Sequence, residues 1–214
     1  MREVAGSNPV FPTSVRRSLD LSRRRQPEYY MSHSPWKTLS SKIVYENLWI
    51  KIHEDKVIRP DGKEGLYAFL SKPAAVFILA KSQDGFFYFI RQYRYPLKKY
   101  IYELPAGVVN KQSYLNNAKR ELKEETGLTA KKWVSLGKFY VAPGHENVAV
   151  HSFLALNVDE NLLSKKNQEG DESIQKIVKL SESQIKKYIS SGKIECGISL
   201  ATWNLYQNSR FYVD

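Results

Sequence analysis

AGVVNKQSYLNNAKRELKEETGLT, from Ala106 to Thr129, sets Glu121, Glu124 and Glu125 close together in a chain whose net charge is +11. Ser113 to Thr126 reads as a helix. Leu115, Ala118 and Leu122 recur on one face, and Gly127 stands where a left-handed cap ends a helix before apolar Leu128. Residues four apart are stacked neighbours on a helix, so Glu121 and Glu125 share a face and Glu124 lies one position round. Like charges so placed repel by roughly 0.2–0.5 kcal/mol per pair on an isolated helix. Two readings remain open: a bound cation, or a solvated face neutralised by Lys119, Arg120 and Lys123.

Outward from this helix the chain is rich in strands. From Lys42, KIVYENLWIKIHEDKVIRPDGKEGLYAFL alternates apolar and polar residues around Pro60, Asp61 and Gly62, a turn signal that predicts a hairpin or small sheet. AAVFILAKSQDGFFYFIRQYRY, from Ala74, gives two β-prone runs joined at Gln83, Asp84 and Gly85, a second expected hairpin. WVSLGKFYV and VAVHSFLAL are strands separated by APGHEN. Ser181 and Gln184 have capping-box spacing at the start of a helix ending near Gly192, and ISLATWNLYQ predicts a last helix. The pattern implies an α+β layered fold with a mixed sheet inside and helices outside.

At 214 residues the chain fits one domain of ordinary size or one domain plus an extension. A single cysteine, Cys196, excludes an intramolecular disulfide and four-cysteine zinc sites, and a reducing cytoplasm is the expected home. AAVFILA is far short of the roughly 20 apolar residues a membrane helix needs, so no membrane association is expected. Beyond residue 30 the positive charge is spread thinly, mostly as lysines, and no block of five consecutive basic residues occurs anywhere. Nucleic acid is therefore not an expected partner; a lysine-rich solvated surface accounts for the charge.

Residues 1–30 have no helical or alternating pattern and no signal-peptide core, and Met31 follows them. GSNPVFPT resembles a translated 3′ arm and acceptor stem of a transfer RNA gene, so synthesis is expected to begin at Met31; a genuine basic tail is the rival. The expected division is an extension over 1–40, N-terminal strands over 41–72, and the main domain over 73–214.

RELKEETGL matches the second half of the Nudix box, with Gly107 standing upstream where that box begins. ELPAG from Glu103, RQYRYP from Arg91, APGHENVAVHSFLAL, EGDESI and SGKIECGISLATWNLY follow the same order as in ADP-ribose pyrophosphatases of that superfamily. The chain thus resembles a Nudix hydrolase over about Val44 to Tyr206. The resemblance implies an α/β/α sandwich with a small N-terminal antiparallel sheet, and hydrolysis of the diphosphate of ADP-ribose or a related nucleoside diphosphate sugar. One residue is missing from the box loop, and Gln112 stands where the family carries a glutamate that partners the arginine. Gln112 is expected to accept a hydrogen bond from Arg120 in its place.

The resemblance also implies site roles. Glu121, Glu124, Glu125 and the carbonyl of Ala106 would bind Mg²⁺, with Mn²⁺ as an alternative, and the ions would neutralise the diphosphate and activate a water. Arg120 would orient the carboxylates. Glu172 would serve the water, with Glu169 and Asp171 as competitors. Arg94, Trp49, Glu103 and Pro143 would contact substrate, although Trp49 equally suits a strand core. His145 and His151 lack zinc-type spacing and read as loop and strand residues. Relatives pair their N-terminal strands across a two-fold axis, so a homodimer is expected. A non-catalytic nucleotide-sugar sensor or regulator is the alternative, motivated by the shortened loop.

Overall fold

The computed structural model describes residues 34–160 and 174–211. A small antiparallel sheet comes first, in the order β1 (Lys37–Glu46), β2 (Lys51–Ile58) and β3 (Glu64–Ser71). Gly62 in the expected turn between β2 and β3 has φ 78°, a left-handed conformation that glycine adopts without steric cost. β1 begins ahead of residue 41, where the N-terminal strands were expected to start. Residues 1–30 and Met31 lie outside the described residues.

The main sheet contains β4 (Ala75–Lys81), β5 (Phe87–Arg94), β6 (Lys99–Glu103), β7 (Ala106–Val108), β8 (Thr129–Tyr140), β9 (Ala149–Asp159) and β10 (Ile174–Leu180). Its order is β10-β5-β4-β9-β8, with β6 on β5 and β7 on β4. β4 runs parallel to β9, and the other pairs are antiparallel. Three helices complete the described part: α1 (Tyr114–Thr126), α2 (Glu182–Ser190) and α3 (Gly197–Gln207).

β4 explains the layering. Its side chains alternate: Val76, Ile78 and Ala80 pack with Ala118 and Leu122 of α1, while Phe77 and Leu79 pack with Ile185 of α2 and Trp203 and Tyr206 of α3. A strand covered on both faces must be apolar at every position, which is why it reads as an unbroken run. Each large apolar side chain buried there contributes about 1.5–3 kcal/mol. The expected mixed sheet between helices is the observed architecture. Among the described residues no helix is long and apolar enough to cross a membrane.

The second expected hairpin needs correction. β4 and β5 pair at Ala80 with Tyr88 and Lys81 with Phe87, next to the turn at Gly85, and then part company. β6 continues beside β5 and β7 beside β4, and the Ile78 N–H donates to the Pro105 carbonyl at 2.9 Å. The strand pattern identifies extended segments but carries no record of which distant segment each one joins. This divergence places Gln92 and Arg94 of β5 across from Ala106 and Gly107 of β7, on the walls of one cleft.

Candidate active site

α1 begins at Ser113, whose hydroxyl accepts the Asn116 N–H, and ends at Gly127 with φ 72°. Between these caps Ala118 and Leu122 enter the core, while Asn117, Glu121 and Glu125 form a neighbouring stripe at intervals of four. All three polar residues of the stripe are buried. Carboxylates are rarely buried without partners, and here the partners are visible. Glu125 Oε2 accepts the Ala106 N–H at 2.9 Å. Arg120 donates through Nη2 to Glu121 and through Nη1 to Glu124. Burial works against the Arg120 charge, but the two carboxylates outweigh it and raise its pKa.

Gly107 fits this arrangement through what it lacks. A Cβ at that position would overlap the Glu121 carboxyl. β7 can therefore run against α1 with a carboxylate between them only because residue 107 has no side chain.

Opposite stands Arg94, whose Nε donates to Glu103 Oε1 at 2.7 Å. Burial opposes the Arg94 charge, and the Glu103 hydrogen bond and charge overcome it, so its pKa is raised. Glu103 is 2% exposed, so its bearing on a ligand runs through the guanidinium. A cleft of about 670 Å³ joins these groups: Arg94 and Gln92 from β5, Ala106 to Val108, Arg120, and Glu121, Glu124 and Glu125, with Trp49 also lining it.

Hard carboxylate oxygens of this kind suit Mg²⁺ or Mn²⁺. Among the described residues no three His, Cys, Asp or Glu side chains form a ready-made cage. That does not oppose the fit, because Mg²⁺ keeps several waters and commonly takes one or two carboxylates together with substrate phosphate. Glu121 and Glu125, both held against β7, supply such a pair.

Trp49 is not strand core. It sits between β1 and β2, 66% exposed, where Asn47 Oδ1 accepts its N–H at 2.8 Å. Pro143 is exposed and is not among the residues lining the cleft. Its loop docks on the small sheet instead: Tyr67 Oη donates to the Gly144 carbonyl and the Leu70 N–H to the His145 carbonyl, both at 2.9 Å. His151, in β9, stacks on Tyr114 with ring centroids 3.6 Å apart. Glu169, Asp171 and Glu172 lie outside the described residues.

The expected Arg120 to Gln112 hydrogen bond does not form among the described residues. Gln112 is exposed, and Arg120 is committed to Glu121 and Glu124. Asn117, which the sequence reading missed, braces the loop instead. Its Oδ1 accepts the Asn110 N–H at 3.1 Å, and its Nδ2 donates to the carbonyls of Gln112 at 3.1 Å and Ser113 at 2.9 Å. The signal was present as a polar residue one helical step before Glu121 and Glu125. Asn117→Ala removes these three hydrogen bonds from a fully buried side chain and should lower the unfolding free energy by about 1–3 kcal/mol in urea titration. An unchanged midpoint would show that the loop does not depend on Asn117.

Comparison with known proteins bears on this site. Residues 71–193 match the model of the NUDIX domain, and residues 36–70 match that of the nucleoside diphosphate sugar hydrolase N-terminal domain. The chain is 30% identical over 159 residues to an ADP-ribose pyrophosphatase of Bacillus subtilis (strain 168), covering 74% of this chain and 85% of that protein. It is 28% identical over 161 residues to a methanol dehydrogenase activator of Bacillus methanolicus, with the same coverages. A crystal structure of an ADP compounds hydrolase superposes with a TM-score of 0.70 at 19% identity, covering 82% of this chain and 94% of that one.

Proposed function

The chain belongs to the Nudix family and is a pyrophosphohydrolase, and from that premise we propose that it cleaves ADP-ribose, or a similar nucleoside diphosphate sugar, with a divalent metal. The products are a nucleoside monophosphate and a sugar phosphate. The observation that carries this reading is the buried Glu121 and Glu125 pair facing β7 beside a half-buried, glutamate-braced Arg94.

Within this reading Arg94 binds a phosphate oxygen, with Glu103 fixing its guanidinium. Trp49 stacks on the nucleobase, and Arg120 keeps Glu121 and Glu124 aligned. Glu121, Glu124, Glu125 and the Ala106 carbonyl hold Mg²⁺ or Mn²⁺, which when bound supplies charge neutralisation at the diphosphate and acidifies water. Glu172, or one of its neighbours Glu169 and Asp171, orients the attacking water and takes its proton. The water oxygen joins one phosphorus as the bridging P–O bond breaks, and the bridging oxygen leaves on the other phosphate. Pro143 bears on substrate only through the loop it shapes.

The small sheet supports a homodimer. Every residue of β1 is exposed, including Leu39, Ile43, Val44 and Tyr45, and apolar side chains gathered on one exposed strand suit an interaction surface. Light scattering should give twice the chain mass, and Ile43→Glu should shift it toward the monomer; a monomeric wild type would refute the pairing. The reading is of a cytoplasmic enzyme with a small-molecule substrate and no nucleic-acid partner.

The test uses protein starting at Met31 with ADP-ribose, GDP-mannose and ADP-glucose, Mg²⁺ or Mn²⁺, and an EDTA control. AMP and ribose 5-phosphate released from ADP-ribose only with metal is the expected result. Absence of turnover, with ADP-ribose still raising the melting temperature, would favour a sensor.

A further inference from the structure

We propose that Gln92 is a specificity-determining residue that accepts a hydrogen bond from a sugar hydroxyl of the bound nucleotide sugar; this rests on the function proposed above. Gln92 lies on β5 between Ile90 and Arg94, opposite Ile101 of β6 and Ile174 of β10. It is 6% exposed and lines the cleft together with Arg94, Phe77 and Ala106. Its Oε1 is buried and has no hydrogen-bond partner among the described residues. Buried acceptors in folded proteins are nearly always satisfied, so an acceptor without a partner among the described residues, on a residue that lines a cleft, points to a partner that arrives with the ligand.

The chemistry of the acceptor narrows that partner. A diphosphate offers only acceptor oxygens, so a carbonyl oxygen gains nothing from facing it. The donors on a nucleoside diphosphate sugar are the hydroxyls of its two sugars and, on adenine, the exocyclic amine. Arg94, two positions along the same strand face, is the group suited to phosphate. A sugar hydroxyl next to the diphosphate is the donor that reaches an acceptor beside the phosphate-binding arginine. Ile90 on the same strand face and Ile101 across on β6 carry no hydrogen-bonding side-chain group, so a ligand lacking that hydroxyl would leave Oε1 unsatisfied.

The test compares wild type, Gln92→Leu and Gln92→Glu on ADP-ribose and on analogues that each lack one hydroxyl of either ribose. In the wild type one analogue should lose about tenfold in kcat/KM relative to ADP-ribose while the others lose little. Gln92→Leu should abolish that difference, leaving the affected analogue and ADP-ribose equally used. Gln92→Glu keeps an acceptor, so the selectivity pattern should survive even if its rate falls. Equal loss on every analogue, in wild type and variant alike, would overturn the proposal and reduce Gln92 to a packing residue. If Gln92→Leu does not fold, Gln92→Met carries the same comparison. If the wild type turns over none of these compounds, the proposed hydrolase function fails by itself. Calorimetric titration of the same analogues then still decides whether one hydroxyl is read through residue 92.

Discussion

Glu125→Gln should give a folded protein whose ADP-ribose turnover is lower by about 10²- to 10³-fold. The glutamine keeps an amide oxygen able to accept the Ala106 N–H, so the tie between α1 and β7 survives. What disappears is a negative charge on a residue only 3% exposed that lines the cleft proposed to hold the cation. The melting temperature should stay within a few degrees of wild type. Retained turnover would remove Glu125 from the metal site, and a collapse in stability would assign it a structural role.

Gly107→Ala should produce a comparable loss by a different route. The added methyl would overlap the Glu121 carboxyl, the far end of a flexible side chain rather than backbone. The carboxylate can swing away, so the fold should tolerate alanine, with a stability cost of about 1 kcal/mol. The displaced Glu121 would then miss the metal site proposed for it and Glu125, and displacement of a catalytic group by about 1 Å can cost about 10²-fold in rate. Reduced kcat with near-normal unfolding is the expected pair of results. Normal kcat would mean that the position of Glu121 against β7 is irrelevant to the reaction.

Much of the fold was legible because it is written locally. Gly127 ends α1 in a left-handed conformation, Ser181 and Gln184 form the capping box of α2, and Gly62 and Gly85 sit in the turns that their neighbours announce. The apolar run in β4 marked it as β-prone, and the structure shows why it is unbroken, since both of its faces are covered. The parallel pairing of β4 with β9 was not legible, because its partners lie more than seventy residues apart and no local pattern names them. The same holds for the separation of β4 from β5, which depends on β6 and β7 taking up their free edges.

The candidate site divides in the same way. Glu121 and Glu125 share a face because they are one helical step apart, and RELKEETGL drew attention to them. Asn117 continues that stripe but was passed over, since asparagine in a helix interior carries no obvious chemistry until its loop partners are seen. Trp49 was open between stacking and core; its turn is made by the Asn47 side chain, a contact that strand periodicity does not encode. Pro143 lies on a loop whose backbone is bonded to β3, a long-range contact invisible to local reading.

The central claim is that the carboxylates of α1 and the arginine of β5 form a metal-dependent centre for splitting a diphosphate. Its most direct test is ADP-ribose turnover by wild-type protein dialysed against EDTA, before and after Mg²⁺ is restored. AMP formation should cease on dialysis and return with the metal. Turnover that continues unchanged in EDTA, or that stays absent when Mg²⁺ or Mn²⁺ is added to folded protein, would contradict it.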